Sequence, residues 1–427
     1  MKDIELNLDH SLLDQDQLQD YFKKFEPELN KLKEARRLGY ADDRASINAP
    51  FDTQGLNLSF ELAKKYSQTD TLIVVGIGGS NLGTLAVQEA ILGKLHNYVT
   101  GPRVFYADTT DAVYLERLVE IIESDLRANK KVLIVGISKS GGTTETIANF
   151  ELLVEHSLRH GANLAESVVV ISDEGSKFSD FADRQGFPRL GIPKKIGGRY
   201  SVFSAVGVFP LLILGVDVGQ LISGARRAVE RCLDNDFETN IAAHSAAVIY
   251  HSYQGGLNIH DTFLFGNDLE GLGRWYRQLT GESIGKNDEV GITPTTSIGS
   301  TDLHSVAQLY LGGPKDKLTT FVTVDSTSDL SLPSNQDYEQ LVSKIQGKKI
   351  NSILAAIQSG TMLAYSQAQL PFMELRLSDL SAASIGQLLQ FKMIEIMLLG
   401  CLFEVDPFDQ PAVEQYKVET RRILDEA

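Results

Sequence analysis

Leu72-Ile73-Val74-Val75-Gly76-Ile77-Gly78-Gly79-Ser80-Asn81-Leu82-Gly83 is the stretch on which the fold turns. Four apolar residues without alternation read as a strand buried on both faces, and such strands belong to parallel sheets. The glycines mark a tight exit, after which the chain enters a helical pattern. At such an exit unpaired N–H groups and the helix dipole favour an anion. The same grammar recurs in Val104-Phe105-Tyr106, Val132-Leu133-Ile134-Val135 and Val168-Val169-Val170-Ile171, short apolar runs separated by amphipathic segments. Together they make a βαβ series with a parallel sheet.

Working outward, Leu18, Phe22, Phe25, Leu29 and Leu32 recur at steps of four and three, one stripe of an N-terminal amphipathic helix. Val202 to Val218 reads as a buried helix bent at Pro210, too short and too interrupted to span a bilayer. A helical bridge near residues 219 to 253 leads to a second series, with strands expected at Thr262–Phe265, Thr319–Val324 and Pro371–Arg376. Asp325 to Asn335 reads as a loop and Ser384 to Phe403 as a core helix. At 427 residues one core rarely suffices. The expected division is a helical arm (1–66), a first α/β domain (67–218), the bridge with a second domain (219–404) and a C-terminal helix (405–427).

A net charge of −16 with no basic run argues against nucleic acid as a partner. Two cysteines, Cys232 and Cys401, give neither a disulfide framework nor a metal-ligand spacing, which fits a reducing compartment. Met1 to Glu5 lacks the features of a signal peptide, so a cytoplasmic location is expected.

The 76–83 loop is no dinucleotide fingerprint, because Asn81 stands where the third glycine belongs, and it lacks the Gly-Lys-Ser/Thr ending of a P-loop. Alone, it is equally well a tight strand-to-helix turn. Gly136-Ile137-Ser138-Lys139-Ser140-Gly141-Gly142-Thr143-Thr144-Glu145-Thr146 carries more chemistry. Hydroxyls, a cation and exposed N–H groups converge at a strand end, which suits a phosphate. Its plain alternative is a threonine-rich helix cap.

These two loops resemble the sugar isomerase fold. Four further blocks narrow the resemblance to the glucose-6-phosphate isomerase family: Gly197-Gly198-Arg199-Tyr200-Ser201, Glu282-Ser283-Ile284-Gly285-Lys286, Gly299-Ser300-Thr301-Asp302-Leu303-His304-Ser305 and Phe408-Asp409-Gln410-Pro411-Ala412-Val413-Glu414-Gln415-Tyr416-Lys417. The similarity runs from the first strand to the C-terminal helix in the family's order. It departs at Ile284, where the family usually has Asn, and at Ala412, where it usually has Gly.

The resemblance implies two doubly wound, flavodoxin-like parallel-sheet domains and an aldose–ketose isomerase without metal or organic cofactor. It implies that Gly79, Ser80, Ser138, Lys139, Ser140, Thr143 and Gly198 bind the sugar phosphate, with Gln410 holding the sugar. Glu282 would shuttle a proton between C2 and C1, Arg199 would stabilise the cis-enediolate, and His304 and Lys417 would assist ring opening. It further implies a homodimer with His304 completing the partner's site, or a tetramer of such dimers, and the N-terminal arm and C-terminal helix offer apolar faces for that embrace.

Each residue also has an ordinary reading. Arg199 is a salt-bridged arginine, Glu282 a solvated carboxylate, and Lys417 a helix-surface lysine paired with Glu414. His304 follows Asp302, a plausible helix cap, which would favour its neutral form. His156 and His160 have i, i+4 ligand spacing but no H-E-x-x-H glutamate, so a solvated helix face outweighs a metal site. Two rival functions stand: an isomerase that also accepts mannose 6-phosphate, and a non-catalytic phosphosugar-binding regulator. The regulator would need the phosphate loops but not Glu282, His304 and Lys417.

Overall fold

The computed structural model describes residues 3–236, 238–325 and 328–426. The chain opens with a three-residue strand, β1 (Glu5–Asn7), and then builds a five-stranded sheet from β2 (Thr71–Val75), β3 (Arg103–Ala107), β4 (Val132–Ile137), β5 (Val168–Asp173) and β6 (Arg189–Ile192). Its order is β3-β2-β4-β5-β6, parallel throughout. Every residue of β2 and β4 is buried, which explains why both are unbroken apolar runs. Leu72 and Val74 face one core with Ala86, Val87 and Ala90 of the helix Leu82–Leu92. Ile73 and Val75 face a second core with Phe150 and Leu153 of the helix Thr144–Arg159. The sheet is thus doubly wound.

The second sheet contains β7 (Ile259–Phe265), β8 (Thr293–Gly299), β9 (Lys317–Val324) and β10 (Phe372–Leu377), parallel, with β1 added antiparallel to β10. Sequence patterning missed β1, β6 and β8. All three are edge strands, where one side of the ladder is open and a continuous apolar run is unnecessary. β8 is threonine-rich with Pro294 at its second position, tolerable at an edge.

The N-terminal helix spans Gln15–Leu38, started by a capping box in which Asp14 accepts from Gln17 N–H at 2.8 Å and Gln17 accepts from Asp14 N–H at 3.2 Å. Its expected stripe exists: Leu18, Phe25, Leu29 and Leu32 are buried and Phe22 half-buried. They pack on the helices Ile241–Gln254 and Ala382–Leu402 of the same chain. That face is therefore used internally and does not embrace a neighbour, contrary to the sequence expectation.

Val202 to Val218 is not one helix. Ser204 caps a buried helix, Ala205–Ile213, that contains Pro210; Gly215 at φ +75° ends it, and Asp217 caps the next helix, Val218–Cys232. The expected loop after Asp325 falls partly on residues 326–327, outside the described residues. From Ser328 to Asn335 it has no helix, and Ser331 makes an isolated bridge with Lys349.

Ala382–Leu402 is long and apolar enough to cross a membrane, but 94% of its most apolar stretch is buried inside the protein, as in a core helix. It crosses Val218–Cys232 backbone to backbone. A Cβ on Gly386 would sit 2.0 Å from the Leu221 carbonyl oxygen and one on Gly224 1.9 Å from that of Ala383. Its two charged side chains, Lys392 and Glu395, pair at 2.8 Å, and Tyr276 donates to Glu395 at 2.6 Å.

Candidate active site

β2 connects towards β3 on one side of the sheet, and β4 towards β5 on the other. Their carboxyl ends therefore flank the switch point where ligands bind in open parallel sheets. The glycine loop leaves β2 there as a single 3-10 turn, Gly78–Ser80. Gly79 is pressed against a third segment: a Cβ on it would lie 2.1 Å from the Gly198 carbonyl carbon and 2.4 Å from Arg199 N. Ser201 Oγ donates to both the Gly198 and Gly79 carbonyls, at 2.6 and 3.2 Å. The blocks at 78–80 and 198–201, remote in sequence, form one surface.

The loop leaving β4 brings the second hydroxyl group. Ser138 is buried and accepts from Gly141 N–H at 3.2 Å, while the exposed Ser140 accepts from Gly142 N–H at 3.3 Å. Thr143 holds the N-cap position of Thr144–Arg159, yet its side chain caps nothing, so the first-turn N–H groups point outward unshielded by it. Lys139 turns its amine to the Lys194 carbonyl at 2.6 Å. Burial lowers the pKa of that amine, with Asp173 and Asp43 opposing the shift.

Arg199 is the hub of the arrangement. Its side chain is 1% exposed, and each of its five N–H donors has an acceptor. Nε donates to Ser283 Oγ at 2.8 Å, and Nη1 to Glu282 Oε2 at 3.1 Å and Gln410 Oε1 at 2.6 Å. Nη2 donates to the carbonyls of Pro407 and Asp409, at 2.6 and 3.1 Å. Trp275, on the helix Glu270–Ile284, donates to the Arg199 carbonyl at 3.2 Å.

Glu282 lies in the last turn of that helix, and its other oxygen accepts from Gln278 at 2.9 Å. A Cβ on Gly78, which holds φ +58°, would meet the Gln278 amide at 2.7 Å. The carboxylate is thereby linked through Gln278 to the glycine loop. Lys286 bridges the Glu282 carbonyl at 2.9 Å and the Asp409 carboxylate at 2.8 Å.

Gly79, Gly198, Arg199, Glu282 and Gln410 therefore form one contiguous group, with Ser80 beside Gly79. Ser138, Lys139, Ser140 and Thr143 line the adjoining strand end. His304 and Lys417 are not drawn into the group within the chain. His304 is exposed at the end of the 3-10 turn Thr301–His304. The expected cap is absent there: Asp302 accepts from Ile298 N–H and Ser305 Oγ, both at 2.7 Å. Lys417 pairs with Glu414 at 2.7 Å on the helix Val413–Glu426, none of whose residues is buried. Sequence reading missed Gln278, Ser283 and Lys286 as partners in the site. Gln278 was recoverable, since it stands one helical turn before Glu282.

The family profile described as Phosphoglucose isomerase matches residues 62–427. The chain belongs to this family. It is 32% identical over 391 residues to the glucose-6-phosphate isomerase of Rubrobacter xylanophilus, covering 88% of each chain. It is 30% identical over 439 residues to that of Mycoplasma mycoides subsp. mycoides, covering 99% of this chain and 98% of that one. The crystal structure of a glucose-6-phosphate isomerase from Chlamydia trachomatis shares the fold with a TM-score of 0.82 at 20% identity, covering 99% and 88%. In this phosphoglucose isomerase family member the two departures from pattern lie in different surroundings. Ile284 is wholly buried in the main core, and Ala412 is exposed just before the last helix.

Proposed function

We propose that the chain interconverts glucose 6-phosphate and fructose 6-phosphate by proton transfer through a cis-enediolate, serving glycolysis and gluconeogenesis in the cytoplasm. The observation that carries this is the Glu282–Arg199 contact at 3.1 Å, placed beside the glycine loop. Isomerising an aldose needs a base at C2 and a cation facing the oxygens that become negative, and this contact supplies both. Each Glu282 oxygen accepts one hydrogen bond, which leaves lone pairs on both for a carbon-bound proton. The phosphate lies on Ser80, Ser138, Ser140, Thr143 and the N–H groups around Lys139, anchoring the sugar by its unreactive end. Glu282 removes the C2 proton and returns it to C1, Arg199 balances the enediolate charge, and Gln410 orients the sugar. A coupled assay with fructose 6-phosphate and mannose 6-phosphate tests the reading: conversion of the first supports it, conversion of both shows broader scope, and conversion of neither overturns it.

Thr143→Ala is expected to weaken binding of substrate and of free inorganic phosphate together. Losing one hydrogen bond to an anion costs about 1.5–3 kcal/mol. An inhibition constant for phosphate equal to that of the wild type would remove Thr143 from the anion site.

Ring opening is assigned to His304 and Lys417, with His304 supplied by a second copy in a homodimer. Support comes from the helix Ile350–Gln367. It is rich in apolar residues, yet only Thr361 and Tyr365 are buried, and Ile350, Ile357 and Leu363 are exposed. An apolar helix face of this kind calls for a cover. Leu303 and Val306, flanking His304, pack on the same aromatic cluster as Leu354 and Met362 of that helix, so both features occupy one side of the molecule. Mixed refolding of Glu282→Gln with His304→Ala chains should restore activity, because one site of a mixed dimer carries both lesions and the other none. Mixed dimers as inactive as either parent would show that each chain builds its own site.

A further inference from the structure

The helices Ala112–Arg127 and Thr144–Arg159 cover the outer face of the first sheet. Near their ends Glu123, His156 and His160 converge, the last residue standing just beyond its helix. One ligand atom from each lies within 4.8 Å of the others. Glu123 Oε1 is 3.6 Å from His156 Nδ1 and 3.5 Å from His160 Nε2. Both separations exceed the usual N–H···O range, and they approach the edge of about 3.3 Å between two ligands bonded tetrahedrally at 2.0–2.1 Å.

The tautomers sharpen the point. His160 Nδ1 lies 2.9 Å from the His156 carbonyl, which can only accept, so Nδ1 carries a proton and Nε2 is the ring atom turned to the Glu123 carboxylate. His156 Nδ1 is buried with no hydrogen-bond partner. The second oxygen of Glu123 is held by Arg127 at 3.0 Å, which fixes the direction of the first. Three atoms able to serve as metal ligands thus converge on one point.

We propose that Glu123, His156 and His160 form a binding site for a borderline divalent transition-metal ion such as Zn2+, with two imidazoles, one carboxylate and an open position. His156 stands 12 residues into its helix, roughly 18 Å from the end that starts at Thr143, so the site is separate from the catalytic group. Sequence reading set the histidine pair aside for want of an accompanying glutamate. That glutamate arrives from the neighbouring helix, 33 residues upstream of His156. The bound ion would clip together the two helices that cover this face of the sheet.

Isothermal titration of the intact protein with Zn2+ at about pH 7.5, where free imidazole is mostly neutral, tests the site. One equivalent is expected, with affinity falling by about tenfold or more in His160→Ala and in Glu123→Gln. All three side chains are partly exposed, so these variants should fold. Zn2+ should raise the melting temperature of the wild type and of neither variant, and Co2+ should give a visible absorption that both variants lose. Unchanged stoichiometry and affinity in the variants, or no wild-type binding up to about 1 mM Zn2+, would overturn the proposal. If protonation of His160 alone reconciles the facing atoms, the titration shows no binding and the proposal fails in the same way.

Discussion

Glu282→Gln is expected to abolish exchange of the substrate's C2 proton with solvent and to lower kcat by about 10²–10⁴-fold or more, the range associated with a positioned general base. The fold should be untouched. The amide oxygen can still accept from Arg199. On the other side Gln278 can turn its own amide, whose oxygen is buried without a partner, to receive the new N–H2 group. Shape and both contacts survive while the basic lone pair is lost. Deuterium incorporation from heavy water is the readout. A variant that exchanges at the wild-type rate would exclude Glu282 as the base, whereas a variant that fails to melt cooperatively would show that the substitution had damaged the site's frame.

Arg199→Lys is expected to be far from conservative. Lysine keeps the charge but offers three donors in place of five and loses the planar fork. At least two of the acceptors Ser283, Glu282, Gln410, Pro407 and Asp409 would lose the hydrogen bond from the arginine, each such bond from a charged donor being worth about 1.5–3 kcal/mol, although Tyr200 still reaches Ser283 and Pro407 and Lys286 still reaches Asp409. The melting temperature should drop, and, if Arg199 has the proposed role of balancing charge that grows only on the way to the enediolate, kcat should fall by more than KM rises. Equal losses in kcat and in substrate affinity would mean that Arg199 merely holds the ground-state sugar.

The sequence exposed the parts of this molecule that obey strong local rules. β2, β4 and β5 are buried on both faces and could be written only as apolar runs; the stripe on Gln15–Leu38 follows the helical period. Edge strands obey weaker rules, which is why Thr293–Gly299 and Arg189–Ile192 were not recognised as strands. The site divides similarly. The glycine and hydroxyl loops are local motifs, and Arg199 and Glu282 were singled out through resemblance. No local signal could announce that a lone arginine is saturated by Ser283, Glu282, Gln410, Pro407 and Asp409, since those acceptors lie more than 80 residues away. The Glu123–His156–His160 cluster hid for the same reason.

The long reach of the Arg199 contacts bears on how the chain is made. The first sheet is complete once residue 192 has been synthesised, and it can fold while the remainder is still emerging, as N-terminal units generally do. β1 must wait for its ladder partner β10, because Glu5 pairs with Arg376. The guanidinium of Arg199 waits longer still, for carbonyls at 407 and 409 and the amide at 410. During synthesis the proposed phosphate loops are therefore made long before the acceptors of Arg199, and the proposed catalytic group can be completed only with the last twentieth of the polypeptide.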